Sequence, residues 1–274
     1  MQNRCVPAVY TITLSGIAVS PRNSAMAISV SSICIVGFGA FGKLIATQLC
    51  PYFTIVLIDP AVHHLTDDFQ GRVTIGSFAD VSRCDLIILA VPVSNFKSVI
   101  ASLKDQLKLG SVVVDVGSVK VNPTEVMLQE LPAHVEIVGT HPLFGPQSAR
   151  NGIRGRKIAV CHIRGRSTSR IAAFLRRFLG LKVFFTTPED HDKEAALVQG
   201  VTHLIAKVLI KMEPLPTRLT TASFEHLVQA IEMVRYDAPS VFHAIERANP
   251  YALEVRERFF ALADEIRNEL EQQI

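Results

Sequence analysis

Four apolar residues, Ile33 to Val36, run directly into Gly37-Phe38-Gly39-Ala40-Phe41-Gly42, and the helix-forming stretch Lys43 to Leu49 follows without a break. A strand, a glycine turn and a helix in that order commit the chain to an α/β architecture, because the helix must return over the sheet before the next strand can pair. The glycines have separable tasks: a tight turn, close approach of backbone to a pyrophosphate, and close packing of helix on strand. The helix start turns its unpaired N–H groups toward that anion. The next strand, Thr54 to Ile58, ends in Asp59, near the spacing of about twenty residues at which a carboxylate meets the adenosine ribose hydroxyls. A carboxylate there repels a 2′-phosphate, so the turn predicts NAD in preference to NADP, although His63 and His64 offer a phosphate partial accommodation. Glycines serving only a tight turn are the rival reading, and Asp59 argues against it.

Further strands follow at α/β spacing. Leu86 to Val91 is continuous and apolar, as strands buried on both faces of a parallel sheet are, and it leads through Pro92 into a helical pattern over Phe96 to Leu107. Ser111 to Val116 runs into Gly117-Ser118-Val119-Lys120 and a helix bounded by Pro123 and Pro132; Val135 to Gly139 runs into Thr140-His141-Pro142-Leu143-Phe144-Gly145-Pro146. Ligands of open parallel sheets sit beyond the carboxyl ends of the strands. Val91, Pro92, Ser118, Lys120 and His141 all occupy such ends, so separate turns converge on one crevice. Lys157 to Cys161 and Lys182 to Phe185 read as the remaining strands, with an amphipathic basic helix over Arg164 to Gly180 between them.

From Pro188 the alternation stops, and the remainder is helical with breaks at Pro214, Pro216, Pro239 and Pro250. The expected fold is therefore α/β: a Rossmann-type, doubly wound, mostly parallel sheet over residues 31–187, then an all-helical domain over 188–274. Apolar residues from Ala195 to Leu209 are too numerous for one exposed helix face and predict burial in a bundle or against another subunit.

Residues 1–30 form an extension with Arg4 and Arg22 but no acid. It reads as a targeting segment or as a misplaced start with Met26 the true one, since the first strand begins a few residues later. No stretch is apolar enough to predict a membrane span. A net charge of only +3, with acids and bases mixed, gives no reason to expect nucleic acid. The five cysteines lack CxxC spacing and read as reduced core residues, which favours a cytoplasmic location, or a plastid or other organelle if the extension is a transit peptide.

His141 stands where a strand gives way to a turn stiffened by two prolines and a glycine, and imidazole is the side chain suited to proton traffic near neutral pH. The competing reading is a turn histidine with a satisfied side chain. Arg150, Arg154, Arg156 and Lys157 follow, as a solvated face or an anion site. His191 opens the first helix of the second domain with Asp192 beside it, and His203 lies twelve residues on. In a continuous α-helix the two histidines share a face about 18 Å apart, too far to share a metal, and no metal site is expected.

Together these residues resemble the prephenate and arogenate dehydrogenase family of tyrosine biosynthesis. The resemblance runs from about Ile33 to the C-terminus. It rests on Gly37 to Gly42, Ala90-Val91-Pro92-Val93, Gly117-Ser118-Val119-Lys120, His141 to Pro146, and Glu189 to His203 with His191, Asp192 and His203 in register. It implies a cyclohexadiene substrate bearing a ring carboxylate, a 4-hydroxyl and a pyruvyl or alanyl side chain. Hydride leaves the carbinol carbon for the nicotinamide, the hydroxyl loses its proton, and loss of CO₂ aromatises the ring. His141 is then the proton acceptor, and Ser118 binds the same hydroxyl or orients the histidine and nicotinamide. Lys120 is implied as an electrostatic partner of substrate or cofactor, Arg235 as the holder of the ring carboxylate, and His191 and His203 as walls of the site. Gln147, in the substrate's vicinity, stands where relatives commonly carry an acid. A homodimer built by the helical domain is implied too, and feedback by tyrosine is compatible with the shared ring. The alternatives are another Rossmann-plus-helical-dimer reductase, of the hydroxyacid or pyrroline carboxylate type, and a non-catalytic NAD-binding sensor.

Overall fold

The structure, a computed structural model, describes residues 32–65, 69 and 71–272; the extension over residues 1–30, with Met26, lies outside the described residues. In chain order the elements are β1 (Ser32–Val36), α1 (Ala40–Leu49), β2 (Thr54–Ile58), β3 (Val73–Ile75), β4 (Leu86–Leu89), α2 (Phe96–Leu103), β5 (Val112–Asp115), α3 (Val121–Glu130), β6 (Glu136–Pro142), β7 (Lys157–Arg164), α4 (Thr168–Arg177) and β8 (Lys182–Phe185). Helices then take over: α5 (Pro188–Ala195), α6 (Val201–Lys211), α7 (Ala222–Val234), α8 (Pro239–His243) and α9 (Ala252–Gln272).

The eight strands form one sheet in the order β3-β2-β1-β4-β5-β6-β7-β8. Neighbours from β3 through β6 are parallel, β6 and β7 are antiparallel, and β7 and β8 are again parallel, as the expected mostly parallel, doubly wound sheet requires. Strand order reverses between β1 and β4, so the carboxyl ends of these two strands open a crevice at the switch point.

Alternation along β1 shows how the layers are made. Ile33 and Ile35 pack with Ala46 and Leu49 of α1 and with Phe174 of α4, whereas Cys34 and Val36 pack with Phe96 and Ile100 of α2 and Met127 of α3. Helices therefore cover both faces, and the strands are buried on both.

Several boundaries depart from the sequence reading. β3 was hidden because three residues on a sheet edge, two of them exposed, carry no periodic signal. α2 gives way to a 3₁₀ turn at Lys104, and β7 continues to Arg164, so α4 begins only at Thr168. Helix α5 does not pass smoothly into α6: Ala196–Gly200 is a π turn, and a second one spans Ala244–Ala248. The two π turns pack together, with Gly200 leaving room for Glu246 Oε1, which a Cβ would approach to 3.3 Å.

The expected burial of the Ala195 to Leu209 stretch is only half met within one chain. Ala195, Leu204 and Ala206 are buried, while Leu197, Val198 and Val208 are exposed, as are Met212, Tyr236 and Ile266 elsewhere on the helical unit. Among the described residues, no helix is long and apolar enough to cross a membrane.

Candidate active site

The glycine turn opens the crevice. Gly37 has φ +100°, and a Cβ there would stand 2.6 Å from the Ala90 carbonyl oxygen and 2.9 Å from Val91 Cγ1, so the end of β4 rests directly on the turn. A Cβ on Gly42 would collide with the Gly37 carbonyl oxygen. Gly39 is different: nothing lies within 4 Å of where its Cβ would be, and both Gly39 and Ala40 at the start of α1 are exposed. Two of the glycines are thus required by the protein's own packing, whereas Gly39 leaves a gap that faces open space at a helix N-terminus, as close approach of a pyrophosphate demands. Asp59 accepts from Phe38 N at 2.6 Å and Ala61 N at 2.9 Å, which ties the end of β2 to this turn and leaves lone pairs for ribose hydroxyls. Phe41 stacks obliquely on Phe144 at 6.4 Å, joining the glycine turn's helix to the turn after His141.

His141 lies within β6, paired with Ala159 of β7, and is 4% exposed. Its Nδ1 meets His191 Nε2 at 2.8 Å, and His191 Nδ1 meets Asp192 Oδ1 at 2.7 Å. The same Asp192 carboxylate accepts from Lys120 N at 2.7 Å and Val121 N at 2.9 Å, two of the free N–H groups at the start of α3. A carboxylate can only accept, so His191 carries its proton on Nδ1 and offers a lone pair at Nε2. His141 must then donate from Nδ1, and its Nε2 is left bare as a base. Burial holds the His141 pKa well below the usual histidine value, helped by His191 and by the charge of Lys120, so the ring is neutral at pH 7. Asn249, buried just past the second π turn, donates to the Asp192 carbonyl oxygen at 2.7 Å and pins this end of α5.

Lys120 requires a correction. Expected as a partner of substrate or cofactor, it is completely buried, with Nζ paired to the Asp115 carboxylate and donating to Thr140 O at 2.7 Å. Burial pushes the Asp115 carboxyl above its usual range, against the pull of Lys120. Withdrawing Lys120 toward a ligand would strand a buried carboxylate at a cost of about 3–5 kcal/mol, whereas an ion pair near the surface returns at most about 1 kcal/mol. The lysine therefore stays under the site and fastens β5 to β6 beneath His141.

Arg235, expected at the ring carboxylate, pairs at the surface with Glu213 and with Glu232 Oε1 at 2.6 Å. Gln147 accepts from Arg150, and the guanidinium of Arg154 packs over Gly180, where a Cβ would stand 2.9 Å from Nη1. Lys157 Nζ sits 5.8 Å from the centre of the Phe184 ring. Much of the basic run after His141 is thus held by protein. Ser118 is half-buried, between Gly117, whose N–H donates to Asp115 at 3.1 Å, and the Lys120 knot. Val91 packs directly on the Gly37 turn, and Pro92 follows it just past the end of β4.

His203 reaches the site at second hand: Nδ1 is 2.9 Å from Gln199 O, and Nε2 is 3.3 Å from Asp237 Oδ2. The π turn breaks the single helical phase that would have placed His191 and His203 on one face. It also aims Gln199, a residue with no distinguishing mark in the sequence, so that its Nε2 lies 3.4 Å from His141 Nε2. π turns recur at functional sites, where one residue of extra width redirects a side chain.

This geometry can be set beside known proteins. Arogenate dehydrogenase 1, chloroplastic, of Arabidopsis thaliana is 30% identical over 250 residues, covering 87% of this chain and 39% of that protein. Arogenate dehydrogenase 2, chloroplastic, of the same plant is 30% identical over 256 residues, covering 88% of this chain and 70% of that protein. This chain therefore spans well under half the length of the first of them. A crystal structure of prephenate dehydrogenase from A. aeolicus, in complex with hydroxyphenyl propionate and NAD+, superposes with a TM-score of 0.69 at 20% identity, covering 90% of this chain and 93% of that one, which shows the shared fold. The family model described as prephenate dehydrogenase, nucleotide-binding domain, matches residues 50–198. It begins after the glycine turn, whose reading rests on its own geometry. A second, described as prephenate dehydrogenase, dimerization domain, matches residues 187–274, and with both halves matched the chain belongs to the prephenate dehydrogenase family.

Proposed function

We propose that the chain catalyses the oxidative decarboxylation of prephenate or arogenate, with His141 as the base that takes the proton of the ring 4-hydroxyl. The observation that carries this reading is the Asp192–His191–His141 chain, which leaves a bare, neutral Nε2 beside a dinucleotide turn. A nicotinamide dinucleotide held along Gly37 to Gly42 with its ribose on Asp59 would supply the hydride acceptor. Everything else falls to the protein. His141 Nε2 accepts the hydroxyl proton as the C–O bond gains double-bond character; Ser118, at the end of β5, steadies the same hydroxyl; and exclusion of water keeps the imidazole unprotonated. Proton loss and hydride loss together leave a dienone, and departure of CO₂ gives the aromatic ring.

Two features favour a dehydrogenase over a non-catalytic sensor: a sensor has no use for an ordered imidazole pair, nor for keeping the terminal imidazole deprotonated. The deciding experiment is one kinetic matrix, with prephenate and arogenate each assayed with NAD+ and NADP+. Turnover of at least one substrate is expected, with kcat/KM higher for NAD+ because Asp59 repels a 2′-phosphate; nicotinamide binding without turnover in any cell of the matrix would establish the sensor instead.

The number of large apolar side chains left exposed on the helical unit, Leu197, Val198, Met212, Tyr236 and Ile266 among them, supports a homodimer through this domain. Sedimentation equilibrium at micromolar concentration is expected to give twice the chain mass, and a monomer there contradicts the assignment.

A further inference from the structure

The relay just described fixes more than the tautomer of His141. With Nε2 of that ring a pure acceptor, the Gln199 carboxamide facing it must present its NH₂ group, and Oε1 consequently points away. That oxygen is buried and has no partner among the described residues. The contact itself is loose, 3.4 Å against the 2.7–3.2 Å of an ordinary N–H hydrogen bond, although the backbone around it is held firmly by the π turn and by His203 on Gln199 O. A carboxamide therefore covers the catalytic lone pair weakly, at the position any proton donor must take.

Resting on the dehydrogenase reading above, we propose that Gln199 touches the reacting hydroxyl: on binding, the hydroxyl enters between Gln199 and His141, donating its proton toward His141 Nε2 while its oxygen accepts from the Gln199 N–H. Two hydrogen bonds of about 2.8 Å meeting at a tetrahedral oxygen put the flanking nitrogens about 4.6 Å apart. The amide therefore retreats by about 1 Å, which three side-chain torsions supply without moving the π turn. As the C–O–H group becomes a carbonyl, electron density rises on that oxygen before the proton has fully left. The Gln199 N–H is then strengthened in the transition state relative to the ground state, which is the condition for a contact to accelerate the step. The proton ends on His141, the hydride on the nicotinamide, and Gln199 loses and gains nothing.

Two variants of the full chain test this. Gln199→Met keeps length and removes the donor; kcat is expected to fall on the order of a hundredfold, with the Kd for NAD+ unchanged. Gln199→Glu places a carboxylate against the base. The charged and titratable groups already around His141 are His191 and Asp192 from α5 and Lys120 and Asp115 beneath the sheet, with His203 and Asp237 beyond Gln199. Against that fixed background a new carboxylate favours the imidazolium, so the acid limb of kcat/KM is expected to move to higher pH by about one to three units. A residue that merely packs would not move that limb. Unchanged kcat in Gln199→Met, or an unmoved limb in Gln199→Glu, with the wild-type chain active, overturns the proposal and leaves the dehydrogenase reading standing. A wild-type chain inert on both substrates overturns the reading, and this proposal with it.

Discussion

Replacing His141 by asparagine is expected to lower kcat at least about a hundredfold while leaving the affinity for NAD+ nearly intact. Asparagine keeps a polar side chain of similar reach but cannot take a proton at neutral pH, and the glycine turn that would hold the dinucleotide makes no bond to His141. Steady-state kinetics with a cofactor titration separate the two effects; a variant that turns over like wild type removes His141 from its role. The same residue governs the acid side of the pH profile. Because burial and neighbouring positive charge disfavour imidazolium, the acid limb of wild-type kcat/KM lies below the ordinary histidine value of about 6.5. Stability follows with a definite sign. Between the depressed folded value and about 6.5 the unfolded chain binds the proton and the folded chain does not, so the His141 contribution is constant above this window and declines as pH falls through it. The asparagine variant lacks that part of the decline.

Asp192→Ala is expected to lower kcat by between about a hundredfold and ten-thousandfold, far more than loss of one hydrogen bond would suggest. The carboxylate accepts three N–H groups: Oδ1 takes Lys120 N and His191 Nδ1, and Oδ2 takes Val121 N. Without that acceptor the proton of His191 is free to move to Nε2. That nitrogen then donates to His141 Nδ1, and His141 must carry its own proton on Nε2, where the base is needed. An asparagine with its oxygen at the Oδ1 position keeps the His191 proton on Nδ1 and gives up only the Val121 contact, so the asparagine variant should retain more activity than the alanine variant. Loss of the contact at the start of α3 adds about 1 kcal/mol of destabilisation in either variant, too little to mimic the effect on rate. An alanine variant within tenfold of wild type would dismiss the relay.

The sheet and the glycine turn were legible because they are encoded locally: each long strand is a run of apolar residues bounded by turn chemistry, and the Gly37 to Gly42 spacing has a backbone reason. The placement of His141, Ser118, Pro92 and Asp59 at or just past the carboxyl ends of strands was legible with them. Lys120 was misjudged for an instructive reason. Its partner Asp115 is the last residue of the apolar run Val112 to Asp115, where it looks like the end of a strand facing water, and only the stacking of β5 beside β6 shows that both charges are interior. Arg235 was picked out by chain position alone, and its pairing with Glu213, twenty-two residues earlier, is invisible to any local pattern. Gln199 and Asn249 were missed because each depends on a π turn, which hydrophobic periodicity cannot announce.

One carboxylate joins the two halves of the molecule. Asp192 belongs to the helical unit, yet its oxygens close the open end of α3, a helix of the nucleotide-binding layer. The seam between the domains therefore also fixes which nitrogens of His191 and His141 carry protons. Any rotation that lifts α5 from α3 uncaps one helix and releases two imidazoles in the same movement, so on the proposed mechanism an undocked chain is expected to be idle rather than slow. On that mechanism reactivity would belong to the assembled joint, and neither half would carry it alone.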